Sequence, residues 1–256
     1  MASTVSELLR ITKDILDYSL TEEPSNVAGF ESFPANQCIQ LFSIKVVYNI
    51  ILELAFDSLS MIEKKRHVSS ASLLRSLFEY YMELLFLAKD PENYKQRELD
   101  AKREQQKVLH IIEHSKDPSL AKHKTDSRFE PRKKELNNDL NGHYQKSLWN
   151  LCDEIGLNWM YDMVYRTLSF VAHPSIVNYS NRYFKADSAC EMLEYYPAPQ
   201  LNEEDAIQRL VLLSDILVGS TKCIHQILPN CNTSAIEAQL EKFACEMVKA
   251  IPRTST

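Results

Sequence analysis

The sequence predicts an all-α multi-helix bundle, and three observations predict it. Glycine is scarce, 4 in 256 residues, whereas hairpins and bulges of a sheet protein depend on it. Apolar residues recur at helical spacing through most of the chain. Pro24, Pro91, Pro174 and Pro252 stand where those runs stop, as expected of a residue that ends helices. The length suits one domain spanning 1–256, with a core over about 36–175 and C-terminal helices over 203–251.

Ser3 or Thr4 caps a first helix whose stripe is Leu8, Leu9, Ile11, Ile15, Leu16 and Leu20. Residues 23–36, with Pro24, Gly29 and Pro34, form a connector. A long helix over about 36–66 is apolar on most faces and belongs at the centre of the bundle. Ser69-Ser70 caps the next helix, about 70–89, which Asp90-Pro91 ends. A polar helix over about 91–115 projects into solvent or covers a partner. Residues 116–134 read as a flexible basic insertion, with Lys116, Lys122, Lys124, Arg128, Arg132, Lys133 and Lys134 among few apolar side chains. Helix resumes over about 131–155 and stops at Gly156. A further helix over 157–173 ends at Pro174. Residues 174–202 are irregular and tyrosine-rich, and helices over about 203–228 and 233–251 close the chain.

The formal charge is −6 and the pI about 5.7, so no global positive field draws in nucleic acid. Contact with RNA would have to be local or made through a dimer cleft. The six cysteines are scattered, without a Cys-x-x-Cys pair, and read as reduced thiols. The opening MASTVSELLRITKDILDYSL lacks a basic start followed by an apolar core, which predicts no secretion leader. The most apolar stretch, 41–59, carries Lys45, Glu53 and Asp57, which predicts a core helix rather than a membrane span. A cytoplasmic protein is expected.

One segment invites a chemical reading: Tyr165-Arg166-Thr167-Leu168-Ser169-Phe170-Val171-Ala172-His173-Pro174. At about 100° per residue, Arg166, Ser169 and His173 share one helix face. Pro174 disfavours the α conformation at the residue before it, so His173 closes the helix. Unsatisfied carbonyls there favour an imidazolium, which suits a proton donor.

These residues resemble the HEPN superfamily, helical bundles with an Arg followed after a short spacer by a His. Here six residues separate Arg166 from His173, the long end of that family's range. The pattern is also similar to an uncharacterised bacterial and phage helical domain family. Its early Arg-x-x-x-Glu is matched by Arg75 and Glu79, and its later Tyr-Arg-x-x-Ser-x-x-x-His-Pro by Tyr165, Arg166, Ser169, His173 and Pro174. The resemblance covers about residues 40–175. It implies metal-independent RNA cleavage by a homodimer, in a toxin–antitoxin or antiviral setting with an antitoxin or defence-system partner protein. His173 would be the acid or base and Arg166 the stabiliser of transition-state charge, with Tyr165, Ser169, Arg75 and Glu79 supporting. It implies no metal and no cofactor. The residue after the Arg is Thr167, where members with a clear ribonuclease motif often carry Asn, Asp or His.

Plainer readings stand beside these. Arg166 and His173 could be a surface or capping pair, and Ser169 a small packing residue. Arg75 and Glu79, four apart, can simply pair with each other. His110 and His114 have a metal-compatible spacing, but no HExxH motif accompanies them. No HD dipeptide, Glu-x-x-His pair, Walker motif or GxSxG occurs, which excludes common metallohydrolases and nucleotide-dependent enzymes. The basic run is a solvated loop or an RNA-guiding arm. Tyr179, Tyr183, Tyr195 and Tyr196 either stack on bases or pack over the bundle end. The competing function is a non-catalytic helical module that binds a partner protein, or an RNA- or nucleotide-binding sensor.

Overall fold

The computed structural model describes residues 4–22, 33–173, 184–186, 193–195, 201–228 and 233–251, the side chains of 35, 36, 121 and the two strands excepted. The fold is an all-α multi-helix bundle. Its centre is α2 (Ala35–Glu63) laid along α3 (His67–Lys89), with α1 (Thr4–Thr21), α10 (Glu203–Ile227) and α11 (Thr233–Ala250) packed around them. A peripheral layer follows α3 in sequence. It holds α4 (Asn93–His114), the single turn α5 (Pro118–Ala121), α6 (Phe129–Asp139), α7 (Leu148–Glu154), α8 (Asn158–Met160) and α9 (Arg166–Ala172). Two short antiparallel strands, β1 (Phe184–Ala186) and β2 (Leu193–Tyr195), pair Phe184 with Tyr195.

Apolar spacing explains the core. Leu8, Ile11, Ile15 and Leu16 of α1 are buried as expected, but Leu20 is exposed and Ser19 is inside. The polar groups on that buried face are satisfied across the helix pair. Thr12 and Ser214 hydroxyls meet at 2.9 Å, Ser19 and Thr221 meet at 2.9 Å, and Tyr48 joins Thr221 at 3.0 Å. Such paired hydroxyls hold the register of α1 on α10 without a desolvation penalty. The helices 37–63 and 203–227 are long and apolar enough to cross a membrane by composition. Both contribute fully buried residues to one shared core.

The structure corrects several expected boundaries. α2 stops at Glu63, where Lys65 takes a left-handed φ of 54° and Arg66 N–H returns to Met61 O at 2.8 Å. α3 then starts at His67, so Ser70 is not its cap. Ser70 is buried in the first turn, donates to Arg66 O at 2.6 Å, and accepts from the buried Arg209 of α10. Residues 116–134 are not an irregular loop; they form α5, a 3-10 turn at Lys122–Thr125 and the start of α6. Three of their cations are paired within the chain. Arg128 pairs with Asp126 at 2.8 Å, Arg132 with Glu135 at 2.7 Å, and Lys133 with Glu113 of α4 at 2.5 Å. The helix expected over 131–155 breaks after α6, in a turn where Gly142 adopts φ 76°, and restarts at α7 behind a capping box on Ser147.

Two stability predictions arise here. A Cβ at Gly219 of α10 would collide with Tyr81 Oη and lie 2.9 Å from its Cζ. Tyr81 is partly buried against the core, and burial pushes its hydroxyl up to about 12. Ala in place of helical Gly ordinarily gains about 1 kcal/mol. Here overpacking, at about 1–3 kcal/mol, outweighs that gain. Gly219→Ala is therefore expected to lower the urea midpoint, and adding Tyr81→Phe to recover part of the loss.

His225 is 4% exposed, and its ring nitrogens find nothing better than a weak contact with the Glu22 backbone. Burial lowers its pKa from the ordinary 6.5, with Glu22 opposing. The folded chain thus takes up the proton less readily than the unfolded one. Stability must fall as pH drops below about 6.5, down to the lowered folded value. His225→Leu should flatten the stability difference measured between about pH 7.5 and pH 5.5.

Candidate functional site

The site is carried by one discontinuous helix. α8 runs into a π-helical turn at Tyr161–Tyr165, where Arg166 N–H reaches back five residues to Tyr161 O, and α9 follows. A π turn inserts a residue into the helical register and is frequent at functional sites. It stacks Tyr161 on Tyr165, ring centroids 5.0 Å apart. α9 then packs on α3 through buried Leu168.

A clasp anchors it there. Arg75 of α3 donates from Nη2 to the Tyr165 hydroxyl at 2.7 Å and lies 5.1 Å from the centre of that ring. Its other partner is Glu79, at 3.2 Å. Phe78, fully buried, lies under Tyr165 at 6.0 Å between centroids. The Arg75–Glu79 pairing expected from their spacing is therefore present, and Glu79 engages Arg75 rather than a group on α9.

The expected Arg166–Ser169–His173 face divides in two. Arg166 is exposed, its side chain at 67%. Its Nε donates to Asp162 at 2.8 Å, and its guanidinium lies 5.5 Å from the centre of the Tyr161 ring. His173 is also exposed; its backbone is extended at ψ 138°, and its N–H still closes the helix on Ser169 O at 2.8 Å. Ser169 turns the other way, with Oγ buried and without a hydrogen-bond partner. It shares that condition with Nε of Arg75 across the α3–α9 seam. Ser169 thus belongs with Arg75 and Tyr165, four residues back on its own helix, and not with the exposed pair.

Around Arg166 the surface is apolar. Trp159, Met163 and Phe170 are 60%, 70% and 59% exposed. Three cavities among the described residues, of about 600, 450 and 370 Å³, are lined by neither Arg166 nor His173. Both side chains lie at the surface of the described residues. Tyr179, Tyr183 and Tyr196 lie outside the described residues, as does Pro174, and Tyr195 is described only as backbone in β2.

One cluster escaped the sequence reading, and a second was read without its carboxylate. Glu83, Arg97, Asp100 and His143 form a half-buried chain of charges between α3, α4 and the turn after α6. Its members looked like parts of solvated helix faces. The other is Glu113 beside His110 and His114 on α4, for which the inverted order His-x-x-Glu-His was the available signal.

Fold and site together define a helical-bundle protein with an Arg/His pair displayed at the end of a π-interrupted helix. The chain belongs to a family of unknown function, DUF5677, whose model matches residues 47–192, more than half its length. That match begins inside α2, takes in the α3–α9 clasp, and ends between the two strands. No curated protein and no solved structure matches the chain.

Proposed function

We propose that this chain is a HEPN-like, metal-independent endoribonuclease that acts as a cytoplasmic homodimer in a toxin or phage-defence setting, held in check by an antitoxin or other partner protein. One observation carries the reading. On a helix otherwise anchored to α3, the groups left at the surface include a guanidinium and an imidazole seven residues apart. That separation is about 10 Å along the axis, too long for one copy to bracket a single phosphate closely. Two copies meeting through the exposed Trp159, Met163 and Phe170 would bring two such pairs together and exclude water.

In this reading His173 of one copy accepts the proton of an RNA 2′-hydroxyl. The 2′-oxygen forms a bond to phosphorus, and the bond to the 5′-oxygen breaks. That oxygen takes its proton from the imidazolium of the second copy, leaving a 2′,3′-cyclic phosphate and a 5′-hydroxyl. Arg166 stabilises the charge that builds on the phosphate oxygens. Its pairing with Asp162 is no obstacle, because exposed i,i+4 ion pairs are worth about 0.3–0.5 kcal/mol and a phosphate competes for the same fork. The test is digestion of total RNA in EDTA by the wild type beside His173→Ala. Cleavage by the first and not the second supports the reading; equal cleavage by both, or none by either, removes it.

A second reading is favoured by the same apolar surface. Trp159, Met163 and Phe170 would then dock a different protein, and Arg166 and His173 would rim the interface. It predicts stable co-purification of a partner that His173→Ala leaves untouched.

A further inference from the structure

We propose that His110, Glu113 and His114 of α4 form a binding site for a zinc-class divalent metal ion, separate from the α9 surface. The three side chains each offer a ligand atom, all within 4.8 Å of one another. Zinc holds imidazole nitrogens at about 2.0–2.1 Å, so donors in a tetrahedral site sit about 3.3 Å apart. Side-chain rotations close that gap, since both histidines are exposed and their rings already lie 4.1 Å apart between centroids.

The orientation of His114 supports this. Its Nδ1 lies 2.9 Å from His110 O. A carbonyl only accepts, so Nδ1 carries the hydrogen and Nε2 keeps the lone pair. Metal-bound histidines are commonly fixed in this way, the second ring nitrogen donating to a backbone carbonyl. Glu113 supports it too. Lys133 of α6 places its ammonium 2.5 Å from Glu113 Oε1, so a cation already sits on this carboxylate beside the two imidazoles and a metal ion can replace it.

The spacing His-x-x-Glu-His is that of the inverted zinc-peptidase helix. Among the described residues no fourth His, Cys, Asp or Glu joins the group, so part of the coordination sphere is open. His110 and Glu113 also line a hollow of about 450 Å³ with Arg103, Lys107 and Lys133. Water or a small anion suits the open positions. Imidazole donors with one carboxylate select zinc, nickel or copper over magnesium or calcium.

The experiment is calorimetric titration of the full, tag-free chain with zinc, alongside the visible absorption of bound cobalt(II). One site per chain is expected. His110→Ala and His114→Ala should each weaken zinc by at least about tenfold. Lys133→Ala should tighten it, because the competing ammonium is gone, and His123→Gln on the neighbouring 3-10 turn should leave it unchanged. Unchanged melting curves without metal would show that the variants fold. No zinc uptake by the wild type, or equal uptake by the two histidine variants, overturns the site.

Discussion

His173→Ala is expected to lower RNA cleavage by about 10²–10⁴-fold, the range spanned by a positioned acid or base. Arg166→Ala should cost about 10²–10³-fold through the charge it no longer meets in the transition state. Arg166→Lys should fall between, because an ammonium keeps the charge but loses the planar fork. None of these should move the unfolding midpoint, since both side chains are exposed. Ser169→Ala discriminates sharply. A shared catalytic face would make it costly, but Ser169 Oγ is buried without a partner, so its loss should leave cleavage intact and stability unchanged or raised. Arg75→Ala acts through position: it frees Tyr165, loosens α9 on α3, and should lower activity and stability together. Growth arrest in cells should follow the same order. Cleavage undiminished in both the Arg166 and His173 variants would leave the exposed pair without a chemical role.

The parts of this fold that read directly from residues are those where one periodic pattern sets the packing. α1 carries an apolar stripe strong enough that burial leaves little choice of face, and α2 is so apolar on most faces that its central place was legible even though its buried face was not. What escaped has a common physical cause: polar side chains that find partners inside the chain look, residue by residue, like solvated ones. Three cations of 116–134 are taken up by Asp126, Glu135 and Glu113, and the last of these contacts needs α4 and α6 in place before it exists. Lys65 ends α2 in a left-handed turn that glycine usually provides. The π turn at Tyr161–Tyr165 has no periodic signature at all.

The candidate site was half legible for the same reason. Spacing placed Arg166 and His173 on one edge, and both are exposed there. Spacing also assigned Ser169 to that edge, because seven residues of helix put it between them. Which way a residue at the margin of a stripe turns depends on the packing it meets, here the seam of α9 against α3, in which Ser169 Oγ is buried. Only the tertiary contact decides that.

Arg97→Ala is expected to be the most destabilising single charge removal in the peripheral layer, at about 3–5 kcal/mol. Arg97 bonds Glu83 of α3 through Nε at 2.7 Å and through Nη2, and reaches Asp100 on its own helix at 2.7 Å. Asp100 in turn meets His143 Nε2 at 2.8 Å. Glu83 and Asp100 have side chains only 16% and 8% exposed. Truncating the arginine leaves two carboxylates short of water and short of a countercharge, and that penalty, not the lost attraction, sets the magnitude. A distinctive corollary follows. Removing all three charges together, as Glu83→Gln, Arg97→Met and Asp100→Asn, should cost much less than Arg97→Ala alone. Met fills the stem volume against Phe86, from whose ring centre the guanidinium lies 5.9 Å, and the amide that replaces the Asp100 carboxylate keeps an oxygen for His143. If chemical denaturation shows the triple variant no more stable than Arg97→Ala, then α4 is held to α3 by the attraction itself, and the half-buried charges are an asset instead of a constraint.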